Sequence, residues 1–294
     1  MMRKICLVIA LIFSVGIEVH AKDQIVWYKT DQPPFYIVDG QGIHDQMVDY
    51  LIARMPEYDH SFERSNVKRA LETIREKQPV IWLGLYKTAE REQFIAFHQI
   101  PCYLNLNTVL VSKKAHLGKL APFLLADGTV DLEKLILSKQ FVIGLTGGRM
   151  YSGIIDEMIK KYTGLGVFYE RLAVNMTTGF LQMLMNDRID AYFEVPTSVK
   201  PAAQALGMKE EELALIPIAG MKPYEPVYTG MPYSDWGSAL IQKIDAIMRQ
   251  EETITTFAGY YENYLDSSLK AQYEQAYRTY YREQHGIDLT PIQP

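Results

Sequence analysis

Gly84-Leu85-Tyr86-Lys87-Thr88-Ala89-Glu90-Arg91, followed by Phe94-Ile95-Ala96-Phe97 and Pro101-Cys102-Tyr103, is the stretch whose reading decides the fold. It completes the continuous apolar run Val80 to Leu85, the pattern of a strand covered on both faces. Upstream, Ile25-Val26-Trp27-Tyr28 reads as a second buried strand, broken by Asp31-Gln32-Pro33-Pro34-Phe35. Residues 43–55 place Ile43, Met47, Val48, Leu51, Ile52 and Met55 at helical spacing. Asp59 to Phe62 is a short strand, and Ser65 a candidate N-cap for a helix burying Val67, Ala70, Leu71 and Ile74.

Downstream, Leu106 to Val111 reads as one strand, and a second set of alternating elements follows. It comprises strands at Phe141–Leu145, Val167–Glu170, Ala191–Phe193 and Leu213–Ile218, with helices over 151–162 and near 178–186. After Val227-Tyr228-Thr229, a helix capped by Asp235 buries Trp236, Leu240, Ile244 and Met248; the tail carries a stripe of Leu269, Tyr273, Tyr277 and Tyr280. Strand–helix alternation predicts an α/β fold with largely parallel sheets.

The N-terminus reads as an export signal: Arg3 and Lys4, an apolar stretch from Ile5 to Ile17 too short for a bilayer, then Val19-His20-Ala21 before a cleavage site. Cys6 lies inside the apolar stretch, too early to carry a lipid, so Cys102 is the single cysteine of the mature chain and is expected as a buried thiol. The net charge is −5, and loss of Arg3, Lys4 and Glu18 makes it one unit more negative. That mildly acidic, mixed balance argues against nucleic acid or an anionic membrane as the main partner. The histidines show no metal-ligand spacing, and no cofactor motif is present.

Order and local sequence together resemble the family 3 extracellular solute-binding proteins, the amino-acid-type periplasmic binding proteins. The opening run is similar to that family's T-x-x-R…F-S-x-P-Y segment, with His98 where a Ser is usual. Asp31 to Phe35 is similar to its Pro-Phe loop, Gly42 precedes a helix with Asp45 and Asp49, and Arg188-Ile189-Asp190-Ala191 is similar to G-R-I-D-A, with Asp187 for the Gly. The resemblance implies a two-lobed, type II binding-protein fold with mixed, mostly parallel sheets flanked by helices and two hinge crossings. Residues 1–21 would be the signal, 22–112 the first lobe, 113–225 the second, and 226–294 the return to the first plus a helical tail.

The resemblance also implies a site. Arg91 would hold a ligand carboxylate in a bidentate fork, and Thr88 would cap the helix carrying it or turn its hydroxyl to the cleft. By itself, without the resemblance, Arg91 reads as a solvated residue at a helix start, paired with Glu90 or Glu92. The Gly147-Gly148 turn before Arg149, Met150 and Tyr151 would expose backbone N–H groups to an anion. Arg149 would add a second cation, favouring a ligand more negative than a zwitterion, or point to solvent. Gly84, Tyr28, Phe35, Tyr36 and Tyr86 flank the same cleft, the aromatics as stacking surfaces, whereas Trp82 reads as core. Amino-acid binders place an Asp where Val195 stands, with Glu194 one residue earlier and on the opposite strand face.

The function expected is capture of a small anionic or zwitterionic, amino-acid-like metabolite in the periplasm. The protein would be a monomer working with an ABC transporter permease or a membrane sensor. No nucleophile elbow or S-x-x-K set is present. An enzyme of the cyclohexadienyl dehydratase type stays open as the alternative on the same fold, with Glu194 as its acid or base.

Overall fold

The computed structural model describes residues 22–37, 40–151, 153–265 and 267–290; the export signal expected over 1–21 lies outside them. Two sheets organise the chain. The first contains β1 (Gln24–Lys29), β2 (Asp59–Arg64), β3 (Val80–Tyr86), β4 (Ile95–Phe97), β5 (Tyr103–Leu106) and β11 (Tyr224–Pro232), in the order β2-β1-β3-β11-β4 with β5 also on β11. The second runs β10-β6-β9-β7-β8, from β6 (Val109–Lys113), β7 (Ile143–Thr146), β8 (Phe168–Arg171), β9 (Ala191–Glu194) and β10 (Leu213–Ile216).

Helices α1 (Ile43–Ala53) and α2 (Val67–Arg75) flank the first sheet. α3 (Leu117–Leu120), α4 (Leu132–Ser138), α5 (Gly153–Tyr162), α6 (Met176–Met185) and α7 (Pro196–Ala205) belong to the second half. α8 (Asp235–Met248), α9 (Glu251–Glu262) and α10 (Ser267–His285) return to the first. Among the described residues no helix is long and apolar enough to cross a membrane.

Each sheet is covered on both faces because its strands alternate side chains between two cores. Trp27, Ile81 and Leu83 face one core of the first sheet, and Tyr28, Val80 and Trp82 the other. Leu110, Ala191 and Phe193 face one core of the second, and Val109, Val111 and Tyr192 the other. The sheets are mixed rather than mostly parallel. β1 runs parallel to β2 and β3, and β7 to β8 and β9, but every pairing that involves β6 or β11 is antiparallel. These are the strands that enter a sheet just after the chain crosses between lobes.

The first crossing divides the strand expected over 106–111 into β5 and β6. At the break, the Asn107 side chain accepts from the Thr108 N–H (2.7 Å) and donates to the Lys222 carbonyl (2.8 Å). That second bond ties the first crossing to the second, which joins β10 to β11. Two caps move by one residue: Asn66, not Ser65, accepts from the Arg69 N–H, and Ser234, not Asp235, from Gly237. In the tail the fully buried third tyrosine is Tyr281, four residues after Tyr277, while Tyr280 is only partly covered. Four residues bring the chain back to the same helix face.

Candidate functional site

Between the sheets lies a partly closed cavity of about 50 Å³. At roughly 15 Å³ per water on this measure, it holds about three waters, so larger ligands require the lobes to part. Six of the residues expected from sequence line it: Phe35, Gly84, Tyr86, Arg91, Arg149 and Met150. His44, Trp82, Tyr103, Asn105 and Met176 join them. Trp82 is both core and wall.

Arg91 sits on a short turn (Arg91–Gln93) after β3, with its N–H accepted by Thr88 Oγ1 (3.3 Å). Thr88 therefore caps it, but what it caps is a single short turn and not the helix expected. Arg91 is buried, and its guanidinium donates to the Tyr86 carbonyl (3.0 Å) and, across the cleft, to the Gly148 carbonyl (3.4 Å). The surface pairing does not form: Glu92 goes to Lys87 (3.1 Å), and among the described residues no carboxylate oxygen lies within salt-bridge reach of Arg91. Burial pulls Arg91 down to about 10, so it is still a cation at neutral pH.

Arg149 does not point to solvent. Its guanidinium makes a two-pronged pair with Glu194, at 3.0 and 2.6 Å, and Glu194 is fully buried. The Glu194 carboxylate also accepts from Thr177 Oγ1 (2.7 Å) and the Val195 N–H (2.9 Å). Burial opposes charge on Arg149, but the carboxylate outweighs it and raises the group above its ordinary value. Glu194 stands behind Arg149 and is not part of the cavity wall, and Val195 is packed into the first lobe's core. Among the described residues, none that lines the cavity is a carboxylate.

Gly148 has φ +76°, and a Cβ there would come within 3.3 Å of the Lys68 Cα. The turn therefore presses on the start of α2, and its carbonyl, rather than its N–H, is what meets Arg91. Gly148 borders an outer groove of about 250 Å³ that Arg91, Arg149 and Met150 also line, so these three form the partition between cavity and groove. Tyr151 faces the second lobe's core, its hydroxyl accepting from the Thr146 N–H (2.7 Å). Tyr28 is core, and Tyr36 donates its hydroxyl to the Leu83 carbonyl (2.9 Å).

His44, unremarkable in sequence, is the residue that the sequence reading missed. It lies on α1, held over Phe35 and Tyr36 (ring centroids 4.9 Å from each), with Nε2 2.7 Å from the Tyr103 hydroxyl. Gly84 makes room for it: a Cβ there would come within 2.7 Å of the imidazole, and φ is +115°. The Gly42 start of α1, with Asp45 accepting from the Gly42 N–H (3.1 Å), fixes the helix end that carries it.

Burial lowers His44 to about 3 and His98 to about 4. The unfolded chain takes up those protons near 6.5, the folded chain only at lower pH, so stability falls as pH drops through that window. Each histidine contributes up to about 1.4 kcal/mol per pH unit. Urea unfolding between neutral pH and pH about 4 should show this loss, and His44→Phe should flatten it; an unchanged slope would exclude His44. Cys102 is fully buried, and burial pushes its thiol up to about 12, so it supplies no thiolate. No group of side chains among the described residues could hold a metal ion.

No family model matches the chain, and no curated protein matches it by sequence. Many solved structures match its fold. An amino acid ABC transporter substrate-binding protein from Streptococcus pneumoniae, bound to L-arginine, superposes with a TM-score of 0.61 at 17% identity, over 82% of this chain and 93% of that one. A Salmonella typhimurium periplasmic binding protein of high arginine specificity gives 0.58 at 16%, over 87% and 99%. A histidine kinase sensor domain similar to periplasmic binding proteins gives 0.63 at 11%, over 83% and 96%. The chain has the two-lobed periplasmic-binding-protein fold, and its structural neighbours include amino acid ABC transporter substrate-binding proteins.

Proposed function

We propose that this protein is an exported solute-binding protein that captures a small anion in the cleft between its lobes and closes over it by hinge motion. The observation that carries the reading is Arg91: a buried cation at the cavity wall, held by two carbonyls from opposite lobes and without a carboxylate partner among the described residues. A ligand carboxylate would complete its charge and stabilise the closed arrangement. The lobes would divide near residues 107–108 and 217–223, where the chain passes from one sheet to the other.

Arginine, the ligand of several of the neighbours, is a poor fit. A second guanidinium needs an acid, and the cavity wall offers none. A dehydratase needs an acid or base at the cavity, and the candidate Glu194 is committed to Arg149 behind the wall. The neighbours include both an ABC transporter's substrate-binding protein and a histidine kinase sensor domain, so the partner of the closed form is a permease or a membrane sensor.

The test is a thermal-shift screen of the mature protein against monocarboxylates, dicarboxylates, amino acids, sugar acids and small peptides, followed by titration of the hits. Arg91→Ala should weaken the best ligand at least tenfold, since a hydrogen bond to a charged group contributes about 1.5–3 kcal/mol. Unchanged affinity would remove Arg91 from the site, and turnover of prephenate or arogenate would replace binder with enzyme.

A further inference from the structure

The polar inventory of the cavity is unbalanced. Among the described residues it holds two arginines, one already neutralised by Glu194, and no carboxylate to receive an ammonium. His44, which lines it, also carries a polar atom with no partner among the described residues: Nδ1, buried over the bare Cα of Gly84, where a Cβ would approach it to 3.0 Å.

The tautomer of His44 follows from its other nitrogen. The Tyr103 hydroxyl is buried, burial keeps it protonated, and His44 Nε2 is its one hydrogen-bond partner among the described residues. If Nε2–H donated to Tyr103, both the tyrosine O–H and the Nδ1 lone pair would be buried without a partner. If Tyr103 donates, only Nδ1–H is, and each unmet buried group costs about 1–3 kcal/mol, so Tyr103 donates to Nε2 and the ring proton sits on Nδ1. Nδ1–H is then an unpaired neutral donor, which calls for an acceptor oxygen. An ammonium could not be accepted there.

We propose that the cleft selects a small carboxylic acid whose second polar group is a neutral acceptor oxygen, a 2-oxo or 2-hydroxy acid, over the matching α-amino acid. Arg91 meets the carboxylate and His44 Nδ1–H meets the oxygen. A 2-oxo or 2-hydroxy acid carries the two groups on adjacent carbons, the most compact arrangement for a small cavity, and Trp82, Met150 and Met176 supply an apolar wall for a short side chain. This rests on reading the cleft as a solute site. Tyr103 acts through His44 as a positioning residue.

The test is calorimetric titration of the mature protein with L-alanine, L-valine and L-leucine, with their 2-oxo and (S)-2-hydroxy counterparts, and with the plain alkanoates of the same carbon skeleton. The oxo or hydroxy acid of at least one set should bind at least tenfold tighter than its amino acid. His44→Phe, which keeps an aromatic ring beside Phe35, should cost that acid about tenfold and leave the plain alkanoate unchanged. Tyr103→Phe should cost the same acid less, through loss of the fixed tautomer. Amino acids binding as tightly as their counterparts, or His44→Phe weakening all acids alike, would overturn the proposal. If no member of the series binds but another anion from the broader screen does, this selectivity is wrong and the solute-binding reading stands. If nothing in that screen binds, both fall.

Discussion

Arg149→Met is expected to destabilise the protein by about 3–5 kcal/mol, the usual cost of removing one partner of a buried ion pair. The variant leaves Glu194 fully buried with only Thr177 Oγ1 and its own neighbour's N–H as partners. Against a typical stability of about 5–15 kcal/mol, that is a large fraction. The double variant Arg149→Met/Glu194→Gln should recover most of the loss, because the amide keeps a hydrogen-bonding oxygen without the uncompensated charge. Urea unfolding of the two single variants and the double variant measures the coupling. A cost below about 1 kcal/mol for Arg149→Met would mean that water screens the pair as it does at a surface. The pair also has a functional consequence: it commits the Glu194 carboxylate to the second arginine, and leaves Arg91 as the wall's cation without an ion-pair partner among the described residues.

Tyr277→Ala is expected to cost a similar amount, about 3–5 kcal/mol, as for other large aromatic truncations in a core. Tyr273, Tyr277 and Tyr281 are fully buried along α10, with ring centroids 6.1 and 5.0 Å apart in sequence order. Tyr277→Phe should be nearly neutral, since the Tyr277 hydroxyl is buried without a hydrogen-bond partner among the described residues and its removal leaves nothing unsatisfied. Thermal unfolding of the two variants separates ring from hydroxyl; equal losses would mean that the hydroxyl has a partner. The tail reaches the cleft by contact. Tyr273 packs on Tyr261 (5.1 Å), Tyr261 donates to Asn105 (2.9 Å), and Asn105 donates to the Tyr86 hydroxyl (3.1 Å) at the cavity wall.

Much of this was legible in the sequence because it depends on local periodicity. The apolar run of β3, the stripe of α1 and the tyrosine face of α10 follow from which residues share a side at a period of two or of 3.6. The Thr88–Arg91 turn was legible for the same reason: a cap and the residue three positions on are always neighbours. Periodicity is blind to partners. It read 106–111 as one strand because nothing in an apolar run says which sheet it joins, and the break at Asn107 became visible only beside Lys222. It could not pair Arg149 with Glu194, 45 residues apart, nor bring His44 to Tyr103, 59 apart. The sequence by itself determined the elements and named Arg91 as a cation worth watching. Only the tertiary structure decided which charges cancel and which stay unmet at the cavity, because burial and pairing across the cleft, rather than residue type, set the cost of leaving a polar group alone.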